Sequence, residues 1–343
     1  MMMSSSLLHR ERVRPDRACG ARADDRSETE DDDAVKLLAV AMAAPLVCHG
    51  HSRPIVNLEY SNVTDDGVFL ISSSKDGQPM LRNGETGDWI GTFEGHKGCV
   101  WGATLNAPAT HGATASADFS ARLWNAITGD ELHCFAHKHI VKSVCFSQDC
   151  QKLLTGGSEK LLRIYDLANI DAPPYEMQGS PSQIRTAQFT AEDTLIVSSC
   201  ADDPGIRVWD VRTNTVVTTL GTDTPVTSIE ITENGRYITT ADGKNVTFFD
   251  AMTFTPVKKW TMPYEVESAS VCVKHERFVA GGTDMWVHVH DMSGTDAKEL
   301  DVGKGHHGPV HSVRFAPDGE SYSSGSEDGT IRIWRTFPKA PGK

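Results

Sequence analysis

The chain of 343 residues carries 33 Lys and Arg against 46 Asp and Glu, a formal net charge of −13. That acidity argues against general nucleic-acid binding, which draws on clustered cations to release counterions, and it suits basic protein partners such as Arg-rich tails. No P-loop, dinucleotide glycine pattern or nucleophile elbow occurs, so the chain reads as non-enzymatic, with no cofactor, catalytic or metal residues to nominate.

Residues 1–33 hold six Arg against nine acidic residues, which accounts for −3 of the charge and leaves −10 for the rest. Few apolar residues and no periodicity make residues 1–41 an expected disordered extension. From Val35 to Cys48 the chain turns apolar, but the run is too short and too acidic at its start for a signal peptide or a membrane span. Met42-Ala43-Ala44-Pro45 resembles a protein start, and the working chain is expected to begin there.

Residues 305–334, GHHGPVHSVRFAPDGESYSSGSEDGTIRIW, alternate apolar and polar positions and turn at Asp318-Gly319 and Asp328-Gly329. Such a pattern predicts antiparallel strands in a meander. The unit recurs. The positions matching Trp334-Arg335 are Arg82-Asn83, Trp124-Asn125, Tyr165-Asp166, Trp209-Asp210, Phe249-Asp250 and His290-Asp291, spaced by 42, 41, 44, 40, 41 and 44 residues. Units of this period that open on Gly-His and close on an aromatic and Asp resemble the WD40 repeat of the β-propeller family. The resemblance implies an all-β, seven-bladed propeller over residues 42–337, with 338–343 as a short tail. After Trp334 only nine residues remain, RTFPKAPGK, too few and too broken for a further strand. Ala44 to Cys48 is therefore expected to complete the last blade and close the ring.

In the last unit His306, Ser324, Asp328 and Trp334 stand where the family builds a hydrogen-bonded chain; in the second unit they are His96, Thr114, Asp118 and Trp124. The third has His137, Thr155, Glu159 and Tyr165. The fourth keeps Ser199, Asp203 and Trp209 with Ser180 in place of the His, while the fifth and sixth lose the chain. These residues read as architecture, because a buried indole or imidazole needs partners and the set repeats in register. The eight Cys show no CxxC pair and no zinc spacing, which points to reduced thiols in the cytosol or nucleus. Among the histidines, His288 and His290 share a strand face, but no carboxylate or Cys joins them at fixed spacing, so packing and loop roles are expected.

Each innermost strand is predicted to begin on an apolar residue wedged between blades: Ile55, Val100, Val141, Ile184, Val226 and Val310. The next residue then points to the central channel mouth. Trp101, Lys142, Arg185 and His311 are the candidate partner face, rich in the aromatic and cationic types that dominate binding energy.

The segments 86–106, 136–146 and 153–167, with Arg82 in the run KDGQPMLRNGETGDWIG, resemble the family of serine/threonine-kinase-receptor-associated proteins over about residues 42–337. The resemblance implies a scaffold in the cytoplasm and nucleus, one copy within a larger complex, with no membrane insertion. Implied partners are Gemin and Sm-type factors of the survival-of-motor-neuron complex, which assembles spliceosomal ribonucleoproteins, and the receptor kinases and Smad proteins of transforming-growth-factor-beta signalling. Two alternatives stay open: the propeller subunit of eukaryotic translation initiation factor three, and a cullin-RING substrate receptor read from Trp209-Asp210-Val211-Arg212.

Overall fold

The computed structural model describes residues 44–337 except 191, 233 and 234. The expectations for residues 1–41 and for 338–343 lie outside the described residues. Among those described, 28 strands form seven four-stranded antiparallel sheets. Six of the sheets are built from consecutive strands. The seventh takes Val310–Phe315, Ser321–Ser326 and Ile331–Arg335 from the end of the chain and Leu46–Cys48 from the beginning.

This seven-bladed, all-β ring is the architecture the repeat period predicts, and its closure is also as expected. Leu46 pairs with Ile333, Val47 with Arg332 and Cys48 with Ile331. Cys48 then shares one buried cluster with Ile55, Leu58, Leu70, Ile331 and Ile333, so the first and last blades are sealed by apolar contact as well as by the ladder. Pairing the two ends of the chain gives the last blade the same four strands as the other six.

The core lies between blades, and the aromatic closing residues press on the blade before their own. Trp124 packs with Phe93 and Ile71 of the first blade, Trp209 with Leu154 and Ile164 of the third, Phe249 with Val197 and Val208 of the fourth, and Trp334 with Val279 and Val289 of the sixth. These contacts bury large aromatics that a single sheet could not cover. Arg82, in the aromatic position of the first blade, is only 4% exposed. Its guanidinium donates to the carbonyls of Gly87 and His49, which lets a cation occupy an interior position.

The turn between the second and third strands of the blades needs a left-handed residue. Gly77 and Gly329 supply it with φ of 83° and 76°, whereas Phe119 and Met285 adopt φ of 68° and 71° at the same place. Left-handed backbone costs a side-chain-bearing residue about 1–2 kcal/mol, which the flanking ladders must outweigh.

Candidate functional site at the channel mouth

All seven innermost strands share one irregularity. The register shifts between Ile55 and Asn57, Val100 and Gly102, Val141 and Ser143, Ile184 and Thr186, Val226 and Ser228, Val266 and Ser268, and Val310 and Ser312. In every case the first residue is at most 1% exposed, wedged between blades. The residue that follows is the bulged one, left out of the ladder and turned aside. Val56, Trp101, Lys142, Arg185, Thr227, Glu267 and His311 are those seven residues, and all line one cavity of about 390 Å³ at the mouth of the channel.

The structure therefore brings Trp101, Lys142, Arg185 and His311 together, and it adds Glu267 from the sixth blade. Sequence reading missed Glu267, although Val266-Glu267 repeats the same wedge-then-turn pattern. Its presence changes the electrostatics, because Arg185 Nη2 lies 3.4 Å from Glu267 Oε2 across the channel. Lys142 donates to the Gln183 side chain at 3.2 Å. Partial burial, and then the nearby Arg185 guanidinium, push the Lys142 ammonium below its ordinary range. His311 donates to Glu327 at 2.6 Å, and Lys75 approaches the same carboxylate at 3.7 Å. Trp101 keeps a buried indole N–H with no hydrogen-bond partner, a donor still in want of an acceptor.

Toward the far end of the channel, four residues after six of the seven wedges, Glu59, Thr104, Cys145, Gln188, Glu230 and Arg314 line a second cavity of about 440 Å³. Thr104 donates its hydroxyl to Glu59, and Ser270 donates to Glu230 at 2.8 Å. Glu59 is enclosed by protein though it faces the channel, and burial pushes its carboxyl up to about 7 against the opposing pull of Thr104 and Arg314. None of these channel residues was singled out from sequence, although the spacing that placed Trp101 would have found them.

The repeat chains lie away from this mouth, between blades. Trp124 donates to the Thr114 hydroxyl at 2.8 Å, Thr114 meets His96 Nε2 at 2.6 Å, and His96 Nδ1 donates to Asp118 at 2.8 Å. Trp334, Ser324, His306 and Asp328 repeat it at 2.8, 2.8 and 3.0 Å. Burial pushes the Asp118 carboxyl up, but bonds from Ser120, His96 and the Lys97 N–H outweigh it and bring it down to about 2. In the third blade Arg163 intervenes, donating to His137 Nδ1 at 2.6 Å and gripping both oxygens of Glu159. Burial, with Arg163 beside it, holds His137 down to about 4.

Two expectations are corrected. Trp209 donates to Ser198 and not to Ser199, because the turn after this strand is one residue longer and moves the pairing to Ser198 with Arg207. Ser199 donates instead to the Val226 carbonyl. Second, His288 does have carboxylate neighbours: Asp284 from the preceding turn at 2.7 Å and Glu299 from the outer strand at 2.7 Å. The structure also shows a chain in the first blade that sequence reading left out, with His51 between Asp76 at 2.9 Å and Ser72 at 2.8 Å.

Comparison with known proteins agrees with this architecture. The family profile described as "WD domain, G-beta repeat" matches residues 87–125, 129–166, 172–210 and 297–335. It passes over the three units that hold Arg82, Phe249 and His290 at the aromatic position. Serine-threonine kinase receptor-associated protein of Homo sapiens is 51% identical over 292 residues, 85% of this chain and 82% of its own length. The protein of the same name in Dictyostelium discoideum is 47% identical over 86% of this chain and 99% of its own length. Eukaryotic translation initiation factor 3 subunit I of Drosophila grimshawi is more distant, 28% identical over 84% of this chain and 95% of its own length. With identity of 51% over 85% of its length, the chain belongs to the serine-threonine kinase receptor-associated protein family of WD-repeat propellers.

Proposed function

We propose that the chain is a non-enzymatic scaffold whose channel mouth holds a protein partner. The observation that carries this reading is the convergence of seven bulged side chains on one cavity, with an unpaired indole donor and two cations among them. A rigid ring with side chains presented at fixed positions suits recognition of macromolecules. The partner supported best is an assembly factor of the Gemin or Sm type, in a complex of the survival-of-motor-neuron kind that builds spliceosomal ribonucleoproteins in the cytoplasm and nucleus. Receptor kinases and Smad proteins are a second partner class, in keeping with the name its relatives carry. The chain acts as one copy in such a complex, binds no nucleic acid directly and does not insert into membranes. Among the described residues no helix is long and apolar enough to cross one.

The test is affinity purification of residues 42–343 from the source cells, with mass spectrometry of what co-purifies. Gemin and Sm proteins are the expected result. Initiation-factor subunits would instead place the chain in translation, and a cullin adaptor would implicate exposed Arg212, in the turn between the last two strands of the fourth blade.

A further inference from the structure

The sixth blade departs from the others at four linked positions. In the second blade Arg122 lies 3.7 Å from the turn acid Asp118 and 2.5 Å from Glu131 on the outer strand, and in the third blade Arg163 spans Glu159 and Glu176 in the same way. In the sixth blade His288 takes the place of that arginine, between Asp284 and Glu299. His290 takes the place of the closing aromatic, Ala280 faces His288 where Thr114 faces Arg122, and Tyr264 stacks on His288 with ring centroids 4.3 Å apart. Two arginine-and-indole positions have thus become two imidazoles, and the hydroxyl that would have satisfied the second is gone.

The consequence is a buried group without a partner. His290 is 4% exposed, and neither of its ring nitrogens makes a hydrogen bond. An imidazole carries a lone pair on one nitrogen, and in His290 no donor claims it. One ligand atom each from His288, His290 and Glu299 lies within 4.8 Å of the others. Asp284 occupies the opposite nitrogen of His288, Nε2, leaving Nδ1 toward Glu299. A carboxylate on the far nitrogen of a histidine is the arrangement that fixes the tautomer and orientation of metal-ligating imidazoles.

We propose that His288 Nδ1, His290 and Glu299 form a zinc site on the outer half of the sixth blade, with Asp284 orienting His288 and water completing the coordination. Two imidazoles and a carboxylate suit a borderline-soft divalent ion of the zinc class and do not suit calcium or magnesium, which take oxygen donors. Tetrahedral zinc ligands sit about 3.3–3.5 Å apart, so an ion parts the 2.7 Å His288–Glu299 pair while the wider separations in the set, none above 4.8 Å, close. Glu299 can make the first of these movements, because its side chain is 49% exposed. The ion replaces the proton now shared between His288 Nδ1 and Glu299, and it ties the outer strand Glu299–Gly303 to its neighbour Val287–Asp291.

The experiment is zinc titration by calorimetry on the full-length, chelator-stripped protein, beside the variants Glu299→Gln and His290→Phe. Phe mimics Phe249 of the fifth blade and can stack on Phe278 as His290 does, at 4.8 Å, so the fold should hold. Glu299→Gln alters a half-exposed side chain and leaves packing alone. Expected is one zinc equivalent more in the parent than in His290→Phe, an affinity for that equivalent at least tenfold lower in Glu299→Gln, and a zinc-dependent rise in melting temperature that is largest in the parent, smaller in Glu299→Gln and absent in His290→Phe. Equal stoichiometry and affinity in all three proteins would show that zinc goes to surface groups alone, and would overturn the proposal. So would the absence of zinc binding to the parent.

Discussion

The indole N–H of Trp209 donates to the Ser198 hydroxyl at 2.8 Å, in an interface where neither residue is more than 1% exposed. Ser198→Ala leaves that donor buried and unpaired, which should cost about 1–3 kcal/mol. Ser199→Ala removes only a donor to the Val226 carbonyl and should cost about 0.5–1.5 kcal/mol. Urea unfolding of the two variants orders them. A larger loss for Ser199→Ala would put Trp209 on the wrong serine.

Trp334 closes the ring, packed between the sixth and seventh blades at 5% exposure. Trp334→Ala should lose about 3–5 kcal/mol through the cavity it leaves, and Ser324 loses its indole donor as well. A chain starting at residue 50 lacks Leu46–Cys48 and exposes the edge of the same blade. Its melting temperature should fall, and because both changes act on one blade their combined cost should differ from the sum.

At the channel mouth, Lys142→Glu with Arg185→Glu should reduce partner recovery in pull-downs at least tenfold. The Arg185 side chain is 39% exposed and its pair with Glu267 is of the surface kind. Stability should therefore shift by no more than about 1 kcal/mol, even though the second substitution sets a carboxylate against Glu267. Full partner retention by the folded double variant would move the binding site off this face.

Glu59 carries a pH signature. Its carboxyl ionises near its ordinary value of 4.5 in the unfolded chain but is pushed up to about 7 in the fold. The folded state thus keeps a proton that the unfolded state releases, and this group's contribution to stability falls as pH rises from 4.5 to about 7. His137 and His290 act in the opposite sense. Held down to about 4 from an ordinary value of 6.5, they lose stability for the fold as pH falls through that interval. Relative to the parent, Glu59→Gln should therefore gain stability progressively between pH 4.5 and 7 and stay level above it. Denaturant midpoints across that range read the difference directly; a pH-independent gap between the two proteins would mean that Glu59 ionises in the fold as an exposed carboxylate does.

Much of this molecule could be read from local signals. Period-two alternation, Asp-Gly turns and a closing aromatic recur near every forty residues, and each is a property of neighbouring residues in one chain segment. They locate the blades, the wedge residues Ile55 through Val310, and the strand at Leu46–Cys48 that had to complete the last sheet. Even Trp101, Lys142, Arg185 and His311 follow from one offset applied to each unit.

What the tertiary structure alone decided are relationships across strands and blades. A turn one residue longer moved Trp209 from Ser199 to Ser198. The bulge in every inner strand aimed seven side chains at one cavity, and it set Glu267 against Arg185, residues 82 positions apart. Glu299 reached His288 from the next strand, where no spacing rule had joined them. Register and ring geometry govern these meetings, and both are set by the sum of turn lengths, bulges and blade packing. No window of the sequence contains that sum, so the residues that could be named in advance acquired their partners only when the ring closed.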